Sequence, residues 1–112
     1  MSRSLSSLDE SDLVSNTIIA VPALDLATVL VWVAPTGMFV NDIYMSGNVS
    51  FKMLFYLNGE RKLSLWSSTD SRNISRVLQA PLIVKQGDIL ELKVRHYFDA
   101  NAEFDASFAI SK

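Results

Sequence analysis

Leu90, Leu92, Val94 and Phe98 fall on one side of an extended chain, with Glu91, Lys93 and Arg95 on the other. Phe104, Ala106, Phe108 and Ile110 repeat that period of two against Glu103, Asp105 and Ser107. Successive side chains of a strand point to opposite faces, so alternation this long means strands with one buried and one wet face. The two runs flank the polar segment Asp99-Ala100-Asn101-Ala102. That spacing predicts an antiparallel hairpin between them and fixes the class as all-β.

The rest of the chain is punctuated to match. All four glycines and all three prolines fall between strand candidates: Pro22, Pro35, Gly37, Gly47, Gly59, Pro81 and Gly87. Gly and Pro weaken or end strands, so they mark the turns. The strands between them are predicted at 17–21, 27–34, 38–46, 49–57, 60–67, 73–79, 82–84 with 89–98, and 103–111. About eight short strands at this spacing make an antiparallel two-sheet β-sandwich. No helical period and no internal repeat is visible. With 112 residues the chain holds one core, expected over residues 17–112.

Residues 1–16 read differently. They are Ser- and Asp-rich and lack strand alternation, although Ser7 and Glu10 have capping-box spacing. A mobile N-terminal arm is expected, with Leu5, Leu8 and Leu13 as its apolar contacts on a partner.

The hairpin at Asn58-Gly59 poses a register problem. Val49, Phe51, Met53, Phe55 and Leu57 make one apolar face, and Leu63 and Leu65 the other strand's. A plain two-residue turn would set Phe55 against Lys62 and mix the faces. A three-residue bulged turn, pairing Met53 with Leu63 and Phe51 with Leu65, keeps them together. Leu54, Tyr56 and Trp66 then fall on the outer face. Val31 lies in a strand apolar on both sides, which a central position in its sheet would explain. Burial between subunits would explain both excesses. Hydrophobic residues make up 49% of the chain, and mean hydropathy is +0.22. That is high for so small a domain and points the same way.

Little chemistry is encoded. There is no cysteine, which removes disulfides and thiolate metal sites. Ten basic residues stand against twelve acidic ones, with no basic block longer than Arg61-Lys62, so no nucleic-acid footprint is present. No apolar stretch has the length of a membrane helix, and the start lacks the apolar core of a signal peptide. Without such a signal, the Asn48 and Asn73 sequons are read as chance. The single histidine, His96, shares a face with Val94 and Phe98 and reads as a satisfied core or interface residue. No nucleophile elbow, phosphate loop or zinc-binding helix occurs. Asp99, Asn101, Glu103 and Asp105 offer oxygens at alternate positions, as calcium loops do, but lack the turning glycine. No catalytic residue, metal or cofactor is expected. Tyr56, Trp66 and Tyr97 could form a sugar platform; an interface role is preferred, since aromatic side chains are favoured anchors there.

The chain also resembles a family. Its strand order follows Thr28-Val29-Leu30-Val31-Trp32-Val33-Ala34-Pro35-Thr36-Gly37, Met45-Ser46-Gly47, Phe55-Tyr56-Leu57-Asn58-Gly59, Pro81 through Val94, and Phe104 through Ile110. This pattern resembles the small jelly-roll virion proteins of tailed bacteriophages, the capsid-decoration and head- or tail-fibre type. More distantly it is similar to the trimeric jelly rolls of the tumour-necrosis-factor and complement type. The resemblance covers nearly all of residues 17–112 and carries no catalytic signature. It implies a jelly-roll-like fold, a homotrimer with apolar strand faces in the contact, and viral capsid or fibre proteins as partners. Such a protein would be made in the host cytoplasm and reside in the virion. Leu54, Tyr56, Trp66, Val31 and Tyr97 are the expected interface residues. The alternative is a carbohydrate- or receptor-binding module.

Overall fold

The computed structural model describes residues 13–67, 72–75 and 77–112. Among these described residues nine strands form: β1 (Leu13–Val21), β2 (Ala27–Val33), β3 (Met38–Gly47), β4 (Lys52–Leu57), β5 (Glu60–Trp66), β6 (Asn73–Ile74), β7 (Leu82–Val84), β8 (Ile89–Arg95) and β9 (Ala102–Ser111). Among the described residues there is no helix, and so none long and apolar enough to cross a membrane. One sheet has the order β1-β9-β3-β6, with β7 also on β3; the other runs β2-β8-β4-β5. Every pairing is antiparallel.

The winding is nested. β1 pairs β9, β2 pairs β8, β3 pairs β6 and β7, and β4 pairs β5. First meets last, and so on inward to one tight hairpin. A long two-stranded ribbon rolled over itself gives this order, the winding of a jelly roll. The inner faces of the two sheets enclose one core built around Phe51, Phe55, Phe104 and Phe108 with Ile43, Met53, Leu90 and Leu92. Phe51 meets Phe104 edge-on at 5.3 Å between ring centroids, and Phe108 packs on both Phe55 and Trp32.

This architecture corrects several expectations. The alternating runs 89–98 and 103–110 do not pair with each other: β8 and β9 belong to different sheets, and the segment between them crosses the sandwich. Alternation reports which face of a strand is buried, not which strand lies beside it. β8 also stops at Arg95, so Phe98 leaves the core face and is exposed. The arm is shorter than expected, because Leu13 to Asn16 pair with Ala109 to Ala106 in β1. Leu5 and Leu8 lie outside the described residues.

β2 is an edge strand, not a central one. A bulge between Thr28 and Leu30 turns both Val29 and Leu30 inward, while Val31 and Val33 remain 52% exposed. The strand expected at 73–79 shrinks to Asn73–Ile74. Beyond it the Val77 and Leu78 amides donate to the carboxylate of Asp42, at 2.7 and 3.4 Å. Asp42 sits at a bulge of β3, so one irregularity caps another.

Candidate functional site

The outer face of the β2-β8-β4-β5 sheet gathers four of the five residues expected at an interface. Val31 pairs with Glu91, Glu91 with Tyr56, and Tyr56 with Arg61, in one row across the sheet. Leu54 sits in the next row, between Lys93 and Ser64, and Trp66 pairs with Lys52 beyond it. Leu54 is only 5% exposed although it points away from the core. The Lys93 ammonium lies 4.7 Å from the Tyr56 ring centroid, so its aliphatic stem runs along the face beside Leu54. Leu54 is thus covered by the chain itself. Val31 and Trp66 are not.

Trp66 and Tyr97, the fifth expected residue, come together at one end of this sheet. Their ring centroids are 5.5 Å apart with 30° between the planes, and Lys52 places its ammonium 5.5 Å from the Trp66 ring. Tyr56 does not join them. It lies four steps along β4 from Lys52, about 13 Å at the rise of a β-strand. A single three-ring platform is therefore not formed. Its place is taken by Phe98, which sequence reasoning had assigned to the core because it continued the alternation.

The three exposed rings Trp66, Tyr97 and Phe98 wall a groove of about 520 Å³, with Asn48, Val49, Ser50, Arg72 and Asn101 on the other sides. The groove is built rigidly. Arg72 Nη1 donates to the Asn48 carbonyl at 2.9 Å, and the Arg72 carbonyl accepts from the Gly47 amide at 3.0 Å. Asn48 in turn exchanges two bonds with Glu103: its amide donates to the Glu103 carbonyl, and its Oδ1 accepts from the Glu103 amide at 3.0 Å. Nothing in the sequence alone brings Asn48, Arg72 and Phe98 together, since the winding of the ribbon does it.

His96 is fully buried, and its ring is committed to the backbone. Nε2 donates to the Val21 carbonyl at 2.7 Å and Nδ1 accepts from the Phe98 amide at 3.2 Å. This fixes the neutral Nε2–H tautomer. The ring also packs on Phe104, and the His96 carbonyl accepts from Leu24. The residue therefore ties the β1–β2 turn to the start of the β8–β9 crossing, and it aims Tyr97 and Phe98 outward.

The acidic set is dispersed. Asp99 and Asn101 lie in the crossing segment, whereas Glu103 and Asp105 are exposed on the outer face of β9, where Asp105 accepts from the Thr17 hydroxyl. Among the described residues no three His, Cys, Asp or Glu side chains are grouped to hold a metal ion. Asp88 instead acts locally. Its carboxylate accepts from the Lys85 amide at 2.8 Å and from the Asn58 side chain at 3.1 Å. The Lys85 amide, then the Asn58 amide and the Lys85 charge, hold its carboxyl below the usual aspartate value, against a smaller opposing effect of burial.

No family model matches the chain, and no curated protein matches it.

Proposed function

We propose that the protein is a virion structural component, of the capsid-decoration or small-fibre type, which acts as a homotrimer through protein–protein contacts. A jelly-roll fold does not assign a function by itself. What carries the reading is the apolar row on the outer face of the edge strand β2: Val31 and Val33, each about half exposed, with the exposed Ile89 paired to Val33. Three β-branched side chains side by side, two on the edge strand and one on β8 beside it, are what a neighbouring subunit covers. The same face carries Tyr56, a type enriched at the centres of interfaces, in one row with Val31 and Glu91. His96, spent on two backbone groups, is not available as a base. Co-sedimentation of the purified protein with capsids lacking it tests the proposal. Saturable binding, weakened by Val31→Glu, is the expected result. Protein that stays in the supernatant at every concentration would contradict it.

A further inference from the structure

We infer that the protein binds a linear oligosaccharide, one sugar ring held against the Trp66–Tyr97–Phe98 wall and the chain running past Asn48 and Ser46 toward Tyr44. Three observations carry this. The first is the wall itself. Trp66 is 58% exposed, and Tyr97 and Phe98 are about as open. Large rings left in water are costly unless a ligand covers them, and the apolar C–H face of a pyranose is a flat surface that fits against a ring. The wall is held ready by the Trp66–Tyr97 contact and by Lys52 over the indole, so little ordering is needed on binding.

The second is the polar side of the same groove. Arg72 and Asn101 line the same groove of about 520 Å³, a volume in the range of small-molecule sites. A guanidinium has five N–H donors, more than its one backbone anchor on Asn48 uses, and an amide both donates and accepts. A ring wall on one side with mixed donors and acceptors on the other suits a ligand that is apolar on its face and hydroxylated at its edge.

The third is continuity. Asn48 also lines a second depression of about 270 Å³, together with Ser46, Gly47, Glu103 and Asp105. Ser46 and Asp105 then line a third, of about 640 Å³, on the outer face of β3 and β9, where Tyr44, Thr17 and Ser107 are found. The first two depressions share Asn48 and the last two share Ser46 and Asp105, so the three adjoin one another around the end of the sandwich. The lining offers hydroxyl, amide and carboxylate groups, joined in the third depression by Met45, Ile74 and Ala106 and by the Tyr44 ring at the far end. A peptide partner would need apolar pockets spaced along the whole length, whereas the residues that join the depressions, Asn48, Ser46 and Asp105, are all polar. A chain of sugars needs hydrogen-bond partners of both kinds, which they do supply.

The test is a glycan array carrying di- and hexasaccharides of bacterial surface polysaccharides, cellulose, chitin, starch and xylan, followed by titration of any ligand found. Trp66 fluorescence provides the readout, because the other tryptophan, Trp32, is packed inward on Phe108. The expected result is a hexasaccharide that binds more tightly than its disaccharide and blue-shifts the emission. Trp66→Ala and Tyr97→Ala should each weaken it about tenfold or more, the effect of losing an anchoring aromatic side chain. Tyr44→Ala should weaken the hexasaccharide more than the disaccharide. Both wall residues are exposed, so the variants should keep the wild-type melting temperature, which is measured alongside. Absence of binding across the array, or binding unaffected by both wall substitutions, would overturn the proposal, as would capture of peptides but no glycan by the same groove. The array reads glycan binding whatever the subunit number, so a monomer that binds sugar would refute the trimer and leave this site standing.

Discussion

Gly47 shows how a single residue sets the packing beneath the groove. A Cβ placed there would lie 2.5 Å from Cδ1 and Cε1 of Phe104 and 3.2 Å from the Phe51 ring. The glycine is needed for close approach, because both rings are fully buried in the core and cannot swing clear. Gly47→Ala should therefore destabilise the fold by roughly 1–3 kcal/mol, the usual cost of overpacking, as measured by urea denaturation. Wild-type stability in that variant would mean the aromatic pair is looser than its geometry implies. Asp88 gives a pH-dependent counterpart. Its carboxyl is held below the ordinary value of 3.8, so folding favours the charged form. The stabilisation is complete above that value and is lost as pH falls through the lower value of the folded state. Asp88→Asn should flatten the fall in stability below about pH 4, the range where an unperturbed aspartate takes up its proton, and leave the pH dependence at neutrality unchanged. An acid limb identical in wild type and variant would show that other carboxylates govern it.

Among the elements, the β4–β5 hairpin shows what periodicity can and cannot specify. The apolar faces of the two strands do meet, as their alternation requires, yet through neither of the two registers expected. Leu57 pairs with Glu60 across a two-residue turn in which Asn58 and Gly59 both have positive φ, 51° and 81°. The register then shifts after Tyr56 and Arg61, so that Phe55 meets Leu63 and Met53 meets Leu65. Lys62 is the extra residue. The Asn-Gly pair demands the tight turn, the core demands Leu63 inward with the more open Leu65 on the same face, and a bulge at an exposed lysine reconciles them. A further tie explains why the turn wins: Asn58 Oδ1 accepts from the Ile89 amide and its own amide donates to the Ile89 carbonyl, contacts no sequence pattern announces. Deleting Lys62 should leave a regular ladder with Leu63 still opposite Phe55. The variant should fold with nearly the wild-type circular-dichroism spectrum, whereas deleting Ser64 should turn Leu65 outward and lower the melting temperature clearly. Equal damage from both deletions would contradict this register. β2 repeats the lesson: its two-sided apolar character comes from a bulge on an edge strand, and periodicity alone could not place that bulge.

At the scale of the molecule, much of the fold was legible and little of the site was. Alternation and Gly/Pro punctuation mark the strands, because each strand's face is a local property. The pairing of β1 with β9 or β2 with β8 is a long-range consequence of rolling the ribbon, and the expected β8–β9 hairpin failed for that reason. The groove failed with it. Asn48, Arg72 and Phe98 converge only because the chain crosses between sheets near residues 48, 72 and 98. Trp66 and Tyr97 were visible as outward aromatics, but their contact was not. The claim on which the proposed function rests is that the Val31, Val33 and Ile89 row is covered by other copies of this chain. Light scattering of the purified protein across micromolar concentrations, beside Val31→Glu, tests it most directly. The account predicts three times the chain mass of 12.5 kDa for the wild type, and a fall toward a single chain for the variant, which should still fold since Val31 lies on the outer face. A wild-type protein that remains at 12.5 kDa throughout would contradict it.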